Sequence, residues 1–354
     1  MKILCIALAA VLIAVLGYVA YVFLAYHRLG DIPLEVQGNG SLEAEAGEEY
    51  RIVSWNIGFG AYEADYGFFM DGGTESWARS PEELDVNLRN IAAKLSSFDA
   101  DFVLVQEIDS DSTRSYHMDE RAYLRDVLPG GTYASVFAQN YDSPFLLYPF
   151  HQPHGASRSG IITFSKAGIV SSRRVELPVE GGFMKILDLD RCYSVSRIPT
   201  ADGHTLVLYN LHLSAYTSDG VIATEQMKLL LADMQAEYEA GNVCIAGGDF
   251  NKDLLGDSSV WWGKPDRDYT WGQPIPAELF DGLNLTLVAP IDEEDPVPSC
   301  RNADSAYHEG QYVLTVDGFI VSDNVEVLSA DVIDTGFAFS DHNPVEMTFA
   351  FRGE

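Results

Sequence analysis

Basic residues are scarce. In 354 residues, 22 Lys and Arg stand against 53 Asp and Glu, a formal net charge of −31. No run rich in Lys or Arg occurs anywhere. Proteins that grip nucleic acid by its phosphates carry a basic face, so the balance argues against general nucleic-acid binding, although a local pocket could hold one phosphate. Cysteine is scarce as well: Cys5, Cys192, Cys244 and Cys300 are far apart, with no CxxC and no Cys/His zinc spacing. That excludes a disulfide framework and a zinc module. Low-complexity tracts, internal repeats and a second long apolar run are also missing. What is present is a chain of 47% hydrophobic and 12% aromatic residues, which excludes disorder throughout and allows a sizeable core.

The single long hydrophobic run is at the N-terminus. Residues 3–25 are almost all apolar, preceded by Lys2 and followed by His27 and Arg28. The run exceeds the ~7–15-residue core of a cleaved signal peptide and matches the ~20 residues that cross a bilayer as a helix. Tyr18, Tyr21 and Tyr26 cluster near one end, as interfacial aromatics do. A signal anchor over 1–29 is the preferred reading, with the rest of the chain outside the cytoplasm. A cleaved signal peptide with a site near Ala20 or Ala25 is the rival. Residues 30–49 are polar, acidic and Gly-containing, and read as a short tether. One α/β domain is expected over 50–354.

Within that domain, 51–57 alternates and is β-branched, so it reads as a strand. Asp71-Gly72-Gly73 reads as a turn. Ser80-Pro81-Glu82-Glu83 opens a helix, with Ser80 as N-cap and Pro81 in the first turn. Leu84, Leu88, Ile91 and Leu95 give that helix one apolar face, and 101–107 follows as a buried strand. Strand, helix, strand predicts a βαβ unit. Further strands are expected at 133–139, 160–165, 185–195, 205–213, 242–246, 312–322 and 345–351, with a helix over 219–238. Trp261, Trp262 and Trp271 read as ordinary packing, with docking to a lipid surface as the alternative.

The polar residues that could carry chemistry stand at the ends of these strands. Asn56 ends RIVSWN and Glu107 ends DFVLVQE. His212 lies in LVLYNLHL. Asp249 and Asn251 follow VCIAGG. Asp317 interrupts YVLTVDGFIVS, and Asp341 and His342 precede NPVEMTF. Strand ends hold side chains rigidly where a cleft can form. Carboxylates with amide oxygens suit a hard divalent cation, and a His beside an Asp suits proton transfer near neutral pH. Taken singly, Asn56, Asp249 and Asn251 read as turn residues, and His212 as a core histidine. Asp317 is harder to dismiss, because a carboxylate inside an apolar strand requires a partner; His342 is the candidate.

The ordered series SWN, QE, NLHLS, GGDFN, VDGFIVS and SDHNPV resembles the endonuclease/exonuclease/phosphatase superfamily. That group includes DNase I-like nucleases, apurinic endonucleases, inositol polyphosphate 5-phosphatases and bacterial sphingomyelinases. The resemblance implies a DNase I-like, four-layer α/β/β/α sandwich and a divalent-metal-dependent phosphoester hydrolase, with Mg2+ (or Mn2+ or Ca2+) as cofactor. It implies that Glu107, Asn56 and Asp341 serve the metal. Asp249 would position or activate the attacking water, and Asn251 would hold the scissile phosphate. His342, oriented by Asp317, would act as base or phosphate stabiliser, and His212 would stabilise the transition state or protonate the leaving oxygen. Arg158 and Arg301 are weaker candidates for contact with a substrate phosphate.

The acidity and the apolar N-terminus favour a small or lipid phosphoester at a membrane surface; no protein partner is predicted. An extracellular DNase-type nuclease is the enzymatic rival, and a catalytically silent, membrane-tethered binding module is the non-enzymatic one.

Overall fold

The computed structural model of the protein describes residues 2–128, 132–179, 190–215, 221–264, 269 and 271–353. The apolar run forms helix α1 (Lys2–Ala25), followed by two short strands, β1 (Ile32–Leu34) and β2 (Val36–Gln37). Strand β3 (Tyr50–Asn56), helix α2 (Pro81–Ser97) and strand β4 (Phe102–Ser112) make the expected βαβ unit, with β3 and β4 parallel. Ser80 caps α2 as its sequence requires, its side chain accepting from Glu83 N at 3.1 Å. Helix α3 (Glu120–Val127) leads into a long hairpin, β5 (Ala134–Leu146) and β6 (Gly155–Ser165). Next come β7 (Ser171–Glu176), β8 (Cys192–Pro199), β9 (Thr205–His212), α4 (Val221–Glu239) and β10 (Val243–Asp249). The chain ends through α5 (Ser259–Trp262), β11 (Leu285–Val288), β12 (Cys300–Arg301), β13 (Val313–Leu314), β14 (Asp317–Ser322), β15 (Val325–Val332) and β16 (Val345–Phe351).

Two seven-stranded mixed sheets stack face to face. Their orders are β1-β7-β8-β9-β10-β14-β11 and β15-β16-β3-β4-β6-β5-β2. Alternation along each central strand explains the layers. In β3 and β4, Ile52, Phe102 and Leu104 point between the sheets, where they meet Leu206, Leu208, Val243 and Ile245 of β9 and β10. Their neighbours Val53, Val103 and Val105 face the other way, onto Leu84, Leu88 and Ile91 of α2 and Leu124 of α3. On the far side, Val207, Tyr209, Cys244 and Ala246 pack on Met227, Leu230 and Leu231 of α4. Strands buried on both faces read as continuous apolar runs, which is why these were legible. The result is the expected four-layer α/β/β/α sandwich, carrying one N-terminal helix long and apolar enough to cross a membrane.

Two expectations change, and others lie partly outside the described residues. The strand expected over 312–322 is two strands: β13 pairs with β12, and β14 pairs with β10 and β11. Of the strand expected over 185–195, residues 185–189 lie outside the described residues and the ladder begins at Cys192; residues 219 and 220 of the expected helix also lie outside them. Segment 30–49, expected as a tether, is attached to both sheets. β1 pairs with β7 of one sheet and β2 with β5 of the other. Leu34, Val36 and Leu42 pack against the inter-sheet core, and Ala44 is buried in it. The guanidinium of buried Arg174 holds Leu29 O and Gly30 O at 2.7 and 3.0 Å. Five apolar side chains scattered among acids, these four and Ala46, join the two short ladders and Arg174 in binding the segment down.

Candidate active site

The carboxyl ends of β3, β4, β9 and β10 converge at one end of the sandwich. In the sheet that holds β9, β10 and β14, the register sets Asp249 directly beside His212 on β9 and beside Asp317 on β14. In the other sheet, Asn56 ends β3 opposite Gln106. Glu107 lies at a bulge, where the β4–β6 register shifts between Val105 and Ile108. Its φ of 53° is a left-handed conformation that a non-glycine residue rarely adopts. Bulges re-aim side chains, and this one turns Glu107 inward: Asn56 Nδ2 donates to Glu107 Oε1 at 3.2 Å and to Asp249 Oδ2 at 3.0 Å. One amide thereby ties the two sheets together at the cleft floor.

Asn251 also has positive φ, 50°, which Asn tolerates better than most residues. Its backbone N–H donates to Asp249 Oδ1 at 2.8 Å, and its amide donates to Leu213 O at 2.8 Å and to Asp249 Oδ2 at 3.3 Å. The turn expected of these residues and the carboxylate's fixed orientation are one feature.

The Ser340-Asp341-His342 loop closes the other side. Ser340 Oγ donates to Asn56 O at 2.8 Å, and Trp55 Nε1 donates to His342 O at 2.8 Å. His342 Nδ1 meets Asp317 Oδ2 at 2.7 Å, and Ser299 Oγ donates to the same oxygen, also at 2.7 Å. The partner that Asp317 requires is therefore His342, with Ser299 as a second. His342 Nε2 is left facing Asp249 Oδ2 at 3.8 Å and Cys300 Sγ at 3.5 Å. His212 Nε2 lies 3.5 Å from Asp249 Oδ2 and 3.8 Å from Glu107 Oε1.

The electrostatics follow from burial and crowding. Burial pushes Asp249 up to about 7, with Asp317 adding and His342 opposing. Asp341 is likewise pushed up to about 7 by burial, opposed by His342 and reinforced by the nearby Glu107. Burial alone would lower His342, but Asp317, Cys300 and Asp249 outweigh it and hold the imidazole well above its ordinary value. His212 is held well below, by burial first and then by the charges of Arg191 and His342. The two histidines are thus driven in opposite directions.

All eight residues expected in the cleft meet there. The two arginines do not. Arg301 is buried, and its guanidinium donates to Ser305 O, Glu63 O and Tyr66 O at 3.0 to 3.2 Å. It organises the loops behind the cleft, so it is corrected from substrate contact to scaffold. A loop position suggested the mouth, but the chain turns this side chain inward. Arg158 lies on β6, 3.7 Å from both Asp111 and Asp142, away from the cluster. Sequence reading passed over Ser299, Cys300 and Lys252. Lys252 directly follows GDFN, is buried, and lines a cavity of about 450 Å3 with Gln273 and Pro274. Its place beside the motif was the available signal. Asp249, Asp317 and His342 also bring possible ligand atoms within 4.8 Å of one another.

A model of the endonuclease/exonuclease/phosphatase family matches residues 53–342, the span that holds nearly all of this geometry. The chain belongs to that family. Phosphoester hydrolysis is the chemistry of the endonuclease/exonuclease/phosphatase family, whose members generally use divalent metals. Three solved structures place the fold. One is a family member from Beutenbergia cavernae DSM 12333, 18% identical, over 86% of this chain and 72% of that one, TM-score 0.56. Another is the human Nocturnin catalytic domain with bound sulfate, 18% identical over 90% and 97%, TM-score 0.54. The third is ANGEL2, a 2',3'-cyclic phosphatase, with adenosine-2',3'-vanadate, 18% identical over 91% and 99%, TM-score 0.56. At such identities the likeness is one of fold. No curated protein matches the chain.

Proposed function

We propose that this chain is a divalent-metal-dependent phosphoester hydrolase, attached to a membrane through α1, that cleaves a small or lipid phosphoester by direct in-line attack of water. The observation that carries the reading is the His342–Asp317 couple, at 2.7 Å, with Nε2 of His342 facing Asp249 at 3.8 Å. A buried carboxylate fixes the orientation of its histidine, so Asp317 presents Nε2 of His342 to the reacting phosphoryl group. Asp249, held by Asn56 and Asn251, stands between both histidines, where it orients the attacking water. Asn251 acts by fixing Asp249, its amide hydrogens being spent on Leu213 O and Asp249 Oδ2. His212 faces the leaving oxygen from the opposite side.

Glu107 and Asp341 lie close enough for one to raise the other, and among the described residues neither has a Lys or Arg within 4 Å. Two such carboxylates fit a hard cation. Glu107, Asn56 and Asp341 are the residues that would hold it. The buried set of Asp249, Asp317 and His342 fits less well: Asp317 Oδ2 already accepts from Ser299 and meets His342 Nδ1, which leaves little space for the water and phosphate that Mg2+ retains. When bound, Mg2+, or Mn2+ or Ca2+ in its place, supplies charge neutralisation at the phosphoryl oxygens.

The test is a substrate panel with purified full chain: plasmid DNA, phosphatidylinositol phosphates, sphingomyelin and an aryl phosphodiester, each with Mg2+ and with EDTA. EDTA-sensitive turnover of a small or lipid phosphoester, lost in His342→Ala, is expected. Rapid DNA cleavage without lipid hydrolysis would establish the nuclease alternative instead. Metal binding without any turnover would establish the silent binding module.

A further inference from the structure

The tip of the β5–β6 hairpin carries an apolar surface that the hydrolase chemistry does not use. Phe145, Leu147, Tyr148 and Phe150 are 40%, 40%, 64% and 83% exposed. Contiguous exposed apolar side chains mark a surface that something covers. What covers this one is indicated by its neighbour. Tyr18 OH donates to Phe145 O at 3.2 Å and accepts from Leu147 N at 2.9 Å, while Phe145 N donates to Tyr21 OH at 3.1 Å. Leu146 packs on Val22, the one buried residue of α1 among the described residues. The tip therefore lies alongside the C-terminal part of the membrane-length helix.

The level of that contact can be placed. Helix α1 has 24 residues, about 36 Å at ~1.5 Å per residue, against a hydrocarbon core of ~30 Å. Tyr21 and Tyr18 stand four and seven residues before its end, about 6 and 10 Å along the axis. With the first 20 residues of α1, about 30 Å, filling the hydrocarbon core, Tyr21 falls at its edge and Tyr18 about 5 Å inside it, and the hairpin tip falls beside them. Aromatic side chains favour that depth. Exposed loop backbone is tolerated there, whereas deeper it would have to satisfy all its polar groups internally.

We infer that the β5–β6 tip is a second membrane contact, with Phe145, Leu147, Tyr148 and Phe150 seated in the interfacial layer of the same leaflet as the end of α1. The contact bears on the cleft. His151 Nε2 meets Thr74 O at 2.9 Å, Gln152 Oε1 accepts from Ser76 N at 2.9 Å, and Pro153 O accepts from Trp77 Nε1 at 2.7 Å. Tyr148 also packs on Phe69 at 5.8 Å between ring centroids. The 67–77 loop that the hairpin grips reaches the cleft through the backbone: Phe68 N donates to Ala303 O at 2.8 Å, and Arg301 N, on the same stretch, donates to Asp341 O at 3.0 Å. The bilayer thus holds the mouth of the cleft at headgroup height, and the substrate class is a phosphoester carried by a lipid of that leaflet. This last step rests on the hydrolase reading; the contact itself does not.

The test uses the full chain in phosphatidylcholine vesicles containing a minor share of phosphatidylglycerol. A nitroxide is attached at Phe150→Cys in a Cys5→Ser background, the other three cysteines being buried. Val260, 75% exposed and far along the chain, gives the control label Val260→Cys. The label at 150 should be reached by oxygen and shielded from a water-soluble nickel chelate, with the reverse at 260. Equal nickel access at both sites would overturn the contact. Low access to both reagents at 150, the mark of a protein cover, would overturn it too. In the triple variant Phe145→Ser, Leu147→Ser, Phe150→Ser, hydrolysis of a vesicle-embedded phosphoester should fall about tenfold or more, with a soluble aryl phosphodiester turned over as before. Equal loss on both substrates would overturn the lipid assignment. A chain inactive on every substrate would sink the hydrolase reading while the nitroxide result still decides the contact.

Discussion

Asp317 is the side chain on which the cleft turns. Its Oδ2 receives Ser299 and meets His342, and it has no exposure to solvent. Asp317→Asn keeps the volume but removes the charge that holds the imidazole. Turnover should drop by roughly 10²–10⁴, with KM little changed and the thermal midpoint close to wild type. Unchanged kcat in steady-state kinetics would remove Asp317 from the mechanism. Arg301 makes the opposite expectation. Its guanidinium caps three carbonyls in the interior, so Arg301→Met should leave those acceptors unpaired and cost about 2–4 kcal/mol in urea unfolding. If the variant were as stable as wild type but bound substrate poorly, the scaffold assignment would fall. At this scale the sequence was most informative where chemistry forces a partner. An aspartate inside VLTVDGFIV had to be paired, and His342 was the evident choice. It was least informative for Arg301, because nothing in a loop's composition says which way a long side chain turns.

Among the elements, α2 is tied to its cap. Ser80→Ala removes the oxygen that Glu83 N donates to and should cost about 1 kcal/mol by chemical denaturation. A Gly in its place should cost only a few tenths. Central strands were legible because both their faces are buried. Residues 51–57 were expected and Tyr50–Asn56 is found; 345–351 was expected and Val345–Phe351 is found, the latter legible from its alternation, with one face buried and the other half-buried. The edges were not. β7, with the sequence SSRRVE, and the two- and three-residue strands after α1 carry polar side chains and are recognisable only by what they pair with. β15, VEVLSADV, does alternate, but its half-buried and exposed positions kept the pattern weak. The bulge at Glu107 was invisible for a different reason. Its left-handed backbone is imposed by neighbouring strands, and DFVLVQE reads as an ordinary strand to its last residue.

For the molecule as a whole, the charge of −31 sets the response to ions. Self-repulsion should make the thermal midpoint rise from low to high NaCl, as screening grows. Mg2+ at matched ionic strength should raise it further, because an ion held only by the folded state adds stability through mass action. In Glu107→Gln that additional rise should vanish while the NaCl effect remains. An identical Mg2+ increment in both proteins, measured by scanning calorimetry, would move the ion elsewhere. The order of the motifs along the chain was sufficient to anticipate the four layers and the eight residues of the cleft. The height of the domain above its helix was not, since that depends on how 30–49 is bound. With β1 stitched to one sheet and β2 to the other, there is no slack between helix and body. On the proposal that α1 spans a bilayer and the cleft hydrolyses a lipid phosphoester, a domain mounted so rigidly would sample only what drifts past in the plane; its encounter rate would be governed by two-dimensional density and lateral diffusion, and a dissolved analogue would compete on unequal terms.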